Sequence, residues 1–321
     1  MMNAAVLRSV DRPPHFESFD EPVPVEGEVL VGVKAAALNP STRVLASGQH
    51  YASPQQLPAV VGVEGVGRLE DGSRVFFGVR RPPNGSMCER TAVPRSFCWP
   101  IPDGVDDVVA AALPNPALSS WLPLITSAQL TPGGSVLVLG ATGVAGQLAI
   151  QIAKHLGAGR VVGGGRNESA LSKLRELGAD AVIPLQRSDQ EVTDSFAQQA
   201  SETGFDVVLD YLWGHSTEML LAAMDRRGFP APRSATRLVQ IGDSAGPVIT
   251  LKAMTLRGAA VTITGSGVMP SIDILTQTFH ELMDLAVQGR LHIDVEPVPL
   301  SEIEEVWTRN DAHGRRLVIV P

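Results

Sequence analysis

Ser135-Val-Leu-Val-Leu-Gly-Ala-Thr-Gly-Val-Ala-Gly146, followed by Gln147-Leu-Ala-Ile-Gln-Ile-Ala-Lys-His-Leu156 and then Arg160-Val-Val-Gly-Gly-Gly-Arg-Asn167, reads as strand, glycine turn, helix and second strand. Val136 to Leu139 is a short apolar run, as a parallel strand buried on both faces requires. Gly140 allows a sharp turn, Gly143 lets backbone approach a pyrophosphate, and Gly146 lets the helix pack close to the sheet. The free N–H groups and positive dipole end at the helix start suit a diphosphate. Alanine at position 141 stands where the usual fingerprint has its first glycine. The glycines alone are a weak signal, but the strand before them and the helix and strand after them supply the context of a dinucleotide-binding unit.

The end of the second strand bears on which dinucleotide. An NAD site places Asp or Glu about 20 residues on, to bind the ribose 2′-hydroxyl. Gly165, Arg166 and Asn167 stand there, and the nearest acid, Glu168, lies past the strand. The planar fork of Arg166 suits a 2′-phosphate, which points to NADPH; an ordinary surface arginine is the other reading.

The rest of the chain sets bounds. Its 321 residues suit two domains, and 44% hydrophobic with 19% charged residues fits a globular enzyme with a sizeable core. A net charge of −8 without a basic cluster argues against nucleic-acid binding. No apolar run approaches membrane-spanning length, and the N-terminus lacks a signal-peptide core, so the simplest location is the cytoplasm. Two cysteines, Cys88 and Cys98, make no disulfide framework.

Residues 1–113 read as β-rich, with short apolar segments between Pro, Gly and Asp turns. From 114 to 266 six strands alternate with helices: Ser135–Gly140, Arg160–Gly165, Ala181–Leu185, Phe205–Leu212, Arg237–Gly242 and Ala259–Thr264. That alternation predicts a doubly wound parallel sheet, with ligand at the carboxyl ends of the strands where their order reverses. The tail 267–321, with a helix over Ile272–Gln288 and strands near Ile293–Val298 and Arg316–Val320, is too short for a domain and is expected to return to the first one.

Taken together the segments resemble the zinc-independent quinone oxidoreductase group of the medium-chain dehydrogenases/reductases. The resemblance rests on Leu38-Asn-Pro-Ser-Thr-Arg-Val-Leu45, Pro58-Ala-Val-Val-Gly-Val-Glu-Gly-Val-Gly67, Ala110–Trp121, Leu177-Gly-Ala-Asp-Ala-Val-Ile183, Phe205-Asp-Val-Val-Leu-Asp210, Val239-Gln-Ile-Gly242, Thr255-Leu-Arg-Gly258 and Gly314–Pro321, in that order. It implies an α/β fold: a Rossmann domain over 114–266 and a β-rich, GroES-like catalytic domain built from 1–113 and 267–321. It further implies an NADPH-dependent reductase passing hydride to a quinone or an α,β-unsaturated carbonyl, working as a homodimer through the Val261–Val268 edge. A non-catalytic NADPH-binding protein of the same fold is the alternative.

Zinc dehydrogenases of this fold need thiolate and imidazole ligands. Here Asn39 stands where a thiolate would be offered, Val63 precedes Glu64 where histidine would, and no Cys-x-x-Cys pair exists. No metal is therefore expected. Without one, the acceptor is polarised by hydrogen bonds and protonated by a side chain or water. Only Tyr51 and Tyr211 are available, and neither is followed four residues on by lysine, which excludes the short-chain dehydrogenase pattern. In related enoyl reductases a tyrosine in the loop of Tyr51 is the suspected proton donor; a pocket-wall role is the other reading. The resemblance also places Asn39 beside the nicotinamide ribose and Ser119 near the cofactor phosphate. Backbone amides of Thr142, Gly143, Val144 and Ala145 would hold the diphosphate, and Leu212, Ile241 and Gly242 would line the cofactor path. Two departures stand out: Ala170 where a lysine commonly helps bind the 2′-phosphate, and Trp213 where smaller residues are usual.

Overall fold

The computed structural model describes residues 1–50, 53–79, 81–200, 204–225, 235–267, 270–309 and 314–321. The chain forms two compact units, Met1–Asn115 with Phe279–Pro321, and Pro116–Thr278.

The first unit opens with β1 (Met2–Leu7), β2 (His15–Phe19), β3 (Glu28–Ala37), α1 (Pro40–Ala46), β4 (Ala59–Val60), β5 (Glu64–Arg68), β6 (Arg74–Gly78), β7 (Arg90–Pro94), β8 (Cys98–Pro100) and α2 (Asp107–Ala112). Strands β2, β1 and β4 make a small antiparallel sheet. Gly65 and Gly67 let β5 lie close on β3, where a β-carbon would meet the Ala35 carbonyl and the Val31 side chain.

The helix α3 (Pro114–Ile125) leads into the second unit: β9 (Ser135–Leu139), α4 (Val144–His155), β10 (Arg160–Gly165), α5 (Glu168–Glu176), β11 (Ala181–Pro184), α6 (Asp189–Ala200), β12 (Val207–Asp210), α7 (Gly214–Met224), β13 (Thr236–Gln240), α8 (Ala253–Gly258) and β14 (Val261–Gly265). All six strands are parallel, in the order β11-β10-β9-β12-β13-β14. The order reverses between β9 and β12, the switch point of a doubly wound sheet. Every residue of β9 is buried, which explains its uninterrupted apolar character.

Two strands end earlier than their apolar runs predict. β12 stops at Asp210 because its carboxylate accepts the Leu212 and Trp213 N–H groups, both at 2.9 Å, and so bends the chain. β13 stops at Gln240: Ile241 makes the last ladder bond, to the Asp210 carbonyl, and Gly242 donates to that same carbonyl instead of advancing along the strand.

The chain returns to the first unit within α9 (Ile272–Val287), at Phe279 and thus later than the expected residue 267. It closes with β15 (Val295–Pro299), α10 (Ile303–Trp307) and β16 (Arg316–Val320). β16 pairs with β3 and β15 with β16, completing a seven-stranded sheet in which β7 also pairs with β3. Pro297 and Pro299 sit in β15 at the rim of that sheet, where a missing N–H breaks no ladder. Among the described residues, no helix is long and apolar enough to cross a membrane.

Candidate functional site

The glycine turn lies between β9 and α4, and its glycines do three different things. Gly140 has φ +86°, and its N–H and that of Ala141 both donate to the Gly164 carbonyl at 2.9 Å. Gly146 is packed: a β-carbon there would stand 2.5 Å from the Ala141 Cα and closer still to the Gly140 carbonyl. Gly143 is exposed, and a β-carbon there would approach only the Gly140 oxygen, at 3.4 Å. Gly143 is also the N-cap of α4 and brings no side chain to cap it. The first-turn N–H groups of Val144, Ala145 and Gly146 thus lack both an intrahelical acceptor and a side-chain cap. Open space beside uncapped amides at the positive end of a 12-residue helix fits a dinucleotide diphosphate.

Thr142 reaches across to the end of β10, where a β-carbon on Gly165 would lie 2.5 Å from the Thr142 Cγ2. The turn and the second strand therefore close on each other only because residue 165 has no side chain. Arg166 follows, exposed, with no partner for its guanidinium among the described residues; the ion pair nearby joins Arg187 and Glu168 at 3.4 Å. Asn167 is largely occupied in holding the next helix. Its Oδ1 accepts the Ala170 N–H at 3.3 Å and the Ser169 hydroxyl at 2.7 Å, leaving Nδ2 as the part able to reach a ligand.

At the switch point the organising group is Asp210, which sequence reasoning did not single out. It is fully buried and its second oxygen accepts the Thr217 hydroxyl at 2.5 Å. Burial raises its carboxyl above the ordinary range, against the Thr217 hydroxyl and the two backbone amides that favour the charge. The bend it sets places Tyr211 and Leu212 against Gly140, with the Leu212 Cδ2 3.2 Å from a β-carbon there. Gly242 in turn approaches the Tyr211 carbonyl, 2.9 Å from where its β-carbon would be. The structure thus brings Gly140, Leu212, Ile241 and Gly242 together at one end of β9, β12 and β13. Ser119, on α3, joins them through a 3.2 Å hydrogen bond to the Tyr211 hydroxyl.

Trp213 has φ +55° and ψ −160°, a backbone region that suits glycine and costs other residues of order 1–3 kcal/mol. Its N–H bond to Asp210 holds it there. Trp213 packs against the buried core of this unit and also walls a groove of about 400 Å3 with Gln240, Asp243 and Thr264.

In the first unit Asn39 is completely buried and its Nδ2 donates to the Glu64 Oε1 at 2.8 Å, while its Oδ1 has no partner among the described residues. The guanidinium of Arg316 donates to the Leu38 carbonyl at 3.1 Å; burial lowers its pKa to about 10, with Glu64 pulling the other way. Cys88 lies against the Gly85 and Arg90 carbonyls, and burial pushes its thiol up to about 12. Asn39 does not fit zinc: an amide nitrogen already bonded to Glu64 takes the place of a thiolate. Tyr51, the expected proton donor, lies outside the described residues.

Residues 143–288 match the model of the zinc-binding dehydrogenase family. The probable NADPH-dependent quinone reductase tdiC of Emericella nidulans is 25% identical over the full length of both chains. These likenesses support the medium-chain dehydrogenase/reductase superfamily, and within it the quinone oxidoreductase-like group. The chloroplastic NADPH-dependent alkenal/one oxidoreductase of Arabidopsis thaliana is 33% identical over 52% of this chain, which spans 47% of that relative. A mycobacterial protein solved in complex with NADPH superposes with TM-score 0.83 over the whole of both chains at 23% identity, a likeness of fold. The matched residues 143–288 include none of Asn39, Glu64 and Cys88, so the zinc in the family's name carries no claim about them.

Proposed function

We propose that this chain is an NADPH-dependent, zinc-independent reductase that passes hydride to a quinone or to the β-carbon of an α,β-unsaturated carbonyl. The observation that carries the reading is the open glycine turn and uncapped start of α4 at the switch point, with the exposed Arg166 at the end of the neighbouring strand. Bound NADPH supplies a hydride. The protein's part is to hold the dinucleotide, exclude water and let one proton follow the hydride, giving a hydroquinone or a saturated carbonyl.

In this reading the amides from Thr142 to Ala145 bind the diphosphate and Arg166 pairs with the 2′-phosphate, helped by the Asn167 Nδ2 beside Gly165. Leu212, Ile241 and Gly242 line the path of the cofactor, Asn39 lies beside the nicotinamide ribose, and Tyr51 is the proton donor. The names of relatives from two kingdoms, a quinone reductase and an alkenal/one oxidoreductase, support both acceptor classes. A cytoplasmic location and a homodimer through β14 complete the reading.

The test is NADPH and NADH oxidation against a panel of quinones and enones, for the wild type, Arg166→Ala and Tyr51→Phe. Turnover with NADPH, a kcat/KM loss of roughly tenfold or more for NADPH but not NADH in Arg166→Ala, and a kcat loss in Tyr51→Phe are expected. Tight NADPH binding without turnover on either panel would favour the non-catalytic alternative.

A further inference from the structure

Tyr211 is the first residue beyond β12, and its N–H donates to the Leu139 carbonyl at 3.1 Å. Its Cβ lies 3.1 Å from where Gly140 would carry one, so it stands at the switch point itself. The residue keeps some exposed surface, yet desolvation pushes its hydroxyl up to about 12, so the oxygen is its enclosed end. That hydroxyl meets the Ser119 Oγ at 3.2 Å, with Ser120 as a weaker second neighbour.

The direction of the bond follows from counting protons. The Ser119 hydroxyl donates to the Pro116 carbonyl at 2.7 Å, and the Ser120 hydroxyl donates to the Ala117 carbonyl at 2.9 Å. Each serine has one proton, and both are spent on their own helix. The phenol is therefore the donor across the gap, and Ser119 receives. A hydroxyl oxygen accepts twice. Ser119 is half-exposed, so one lone pair remains to face a ligand, and no proton does.

An acceptor without a proton repels a phosphate oxygen and attracts an N–H or O–H group. A dinucleotide offers such donors on its nicotinamide-riboside half, as ribose hydroxyls and the carboxamide nitrogen. We propose that Tyr211 is a positioning residue that orients Ser119 as a dedicated hydrogen-bond acceptor for a donor on the nicotinamide-riboside half of the cofactor. The inference rests on the NADPH reading of the site.

The experiment is equilibrium binding by calorimetry for the wild type, Tyr211→Phe, Ser119→Ala and the double variant. The probes are NADPH, adenosine 2′,5′-bisphosphate and the 3-acetylpyridine analogue of NADPH, in which a methyl replaces the carboxamide nitrogen. Each single variant is expected to raise the Kd for NADPH by roughly three- to tenfold, the double variant no further, and none to alter bisphosphate binding. Unchanged bisphosphate binding also certifies the fold of each variant. If the Ser119→Ala loss vanishes with the analogue, the donor is the carboxamide; if it persists, a ribose hydroxyl. An unchanged NADPH Kd in Tyr211→Phe, losses that add in the double variant, or equal losses for the bisphosphate would overturn the proposal. A wild type that binds neither NADPH nor the bisphosphate would instead overturn the cofactor reading beneath it.

Discussion

Residues of one type take their chemistry here from where the fold puts them. Cys88 is fully buried and burial pushes its thiol up to about 12; Cys98, half-buried, is pushed to about 11. The thiolate is the form that alkylates, and a raised pKa depletes it. At pH 8 the thiolate of Cys98 is about one part in a thousand, and that of Cys88 about one in ten thousand, against about a quarter for an ordinary cysteine. Iodoacetamide at pH 8 is therefore expected to modify the unfolded chain readily and the native chain slowly. The native rate should rise about tenfold from pH 8 to 9, because both groups titrate above that window. Native labelling of Cys88 as fast as in urea, followed by mass spectrometry, would contradict its burial. The same dependence on place explains Asp210, whose charge is opposed by burial yet held by Thr217 and two backbone amides. It also explains Trp213, kept in a glycine-like backbone by one of those amides.

The β9–turn–α4 element separates binding from packing within one motif. Gly143→Ala meets only the Gly140 oxygen at 3.4 Å and keeps an allowed φ of −79°, so stability should change by less than about 1 kcal/mol. Its methyl stands on the open side of the turn, and the NADPH Kd should rise by roughly tenfold. Gly146→Ala drives a methyl into the Gly140 carbonyl and the Ala141 backbone, and should cost about 1–3 kcal/mol in thermal unfolding. Equal effects of the two substitutions on melting would refute this division. This element was legible in the sequence because each of its constraints lies within a few residues: an apolar strand, a turn glycine, a helix start. The six-strand alternation was legible for the same reason. The strand ends were not, since Asp210 truncates both β12 and β13 through bonds that propensity does not encode. Nor were Tyr211 with Ser119, 92 residues apart, and Asn39 with Glu64, 25 apart, as pairs.

At the scale of the whole molecule, the two rims of the six-stranded sheet differ. β11 ends one rim as Ala181-Val-Ile-Pro184, directly after Asp180, and a charge and a proline are common guards against further strand pairing. β14 ends the other rim as Val261-Thr-Ile-Thr-Gly265, with neither a charge nor a proline within the strand. Thr262 is exposed, Ile263 and Thr264 are half-exposed, and β13 is the strand partner that β14 has. An unguarded edge of β-branched residues is a template for another strand, and a second copy supplies an identical one across a two-fold axis. Light scattering at micromolar concentration is therefore expected to give twice the 34.0 kDa chain mass. Thr262→Lys would place a charge on the edge that each copy offers, a common guard against strand pairing, and should shift the mass toward the single chain, while leaving NADPH binding at the carboxyl ends of β9 and β10 in place. A wild type that scatters as a single chain, or a Thr262→Lys variant that stays at double mass, would remove the β14 edge as the interface.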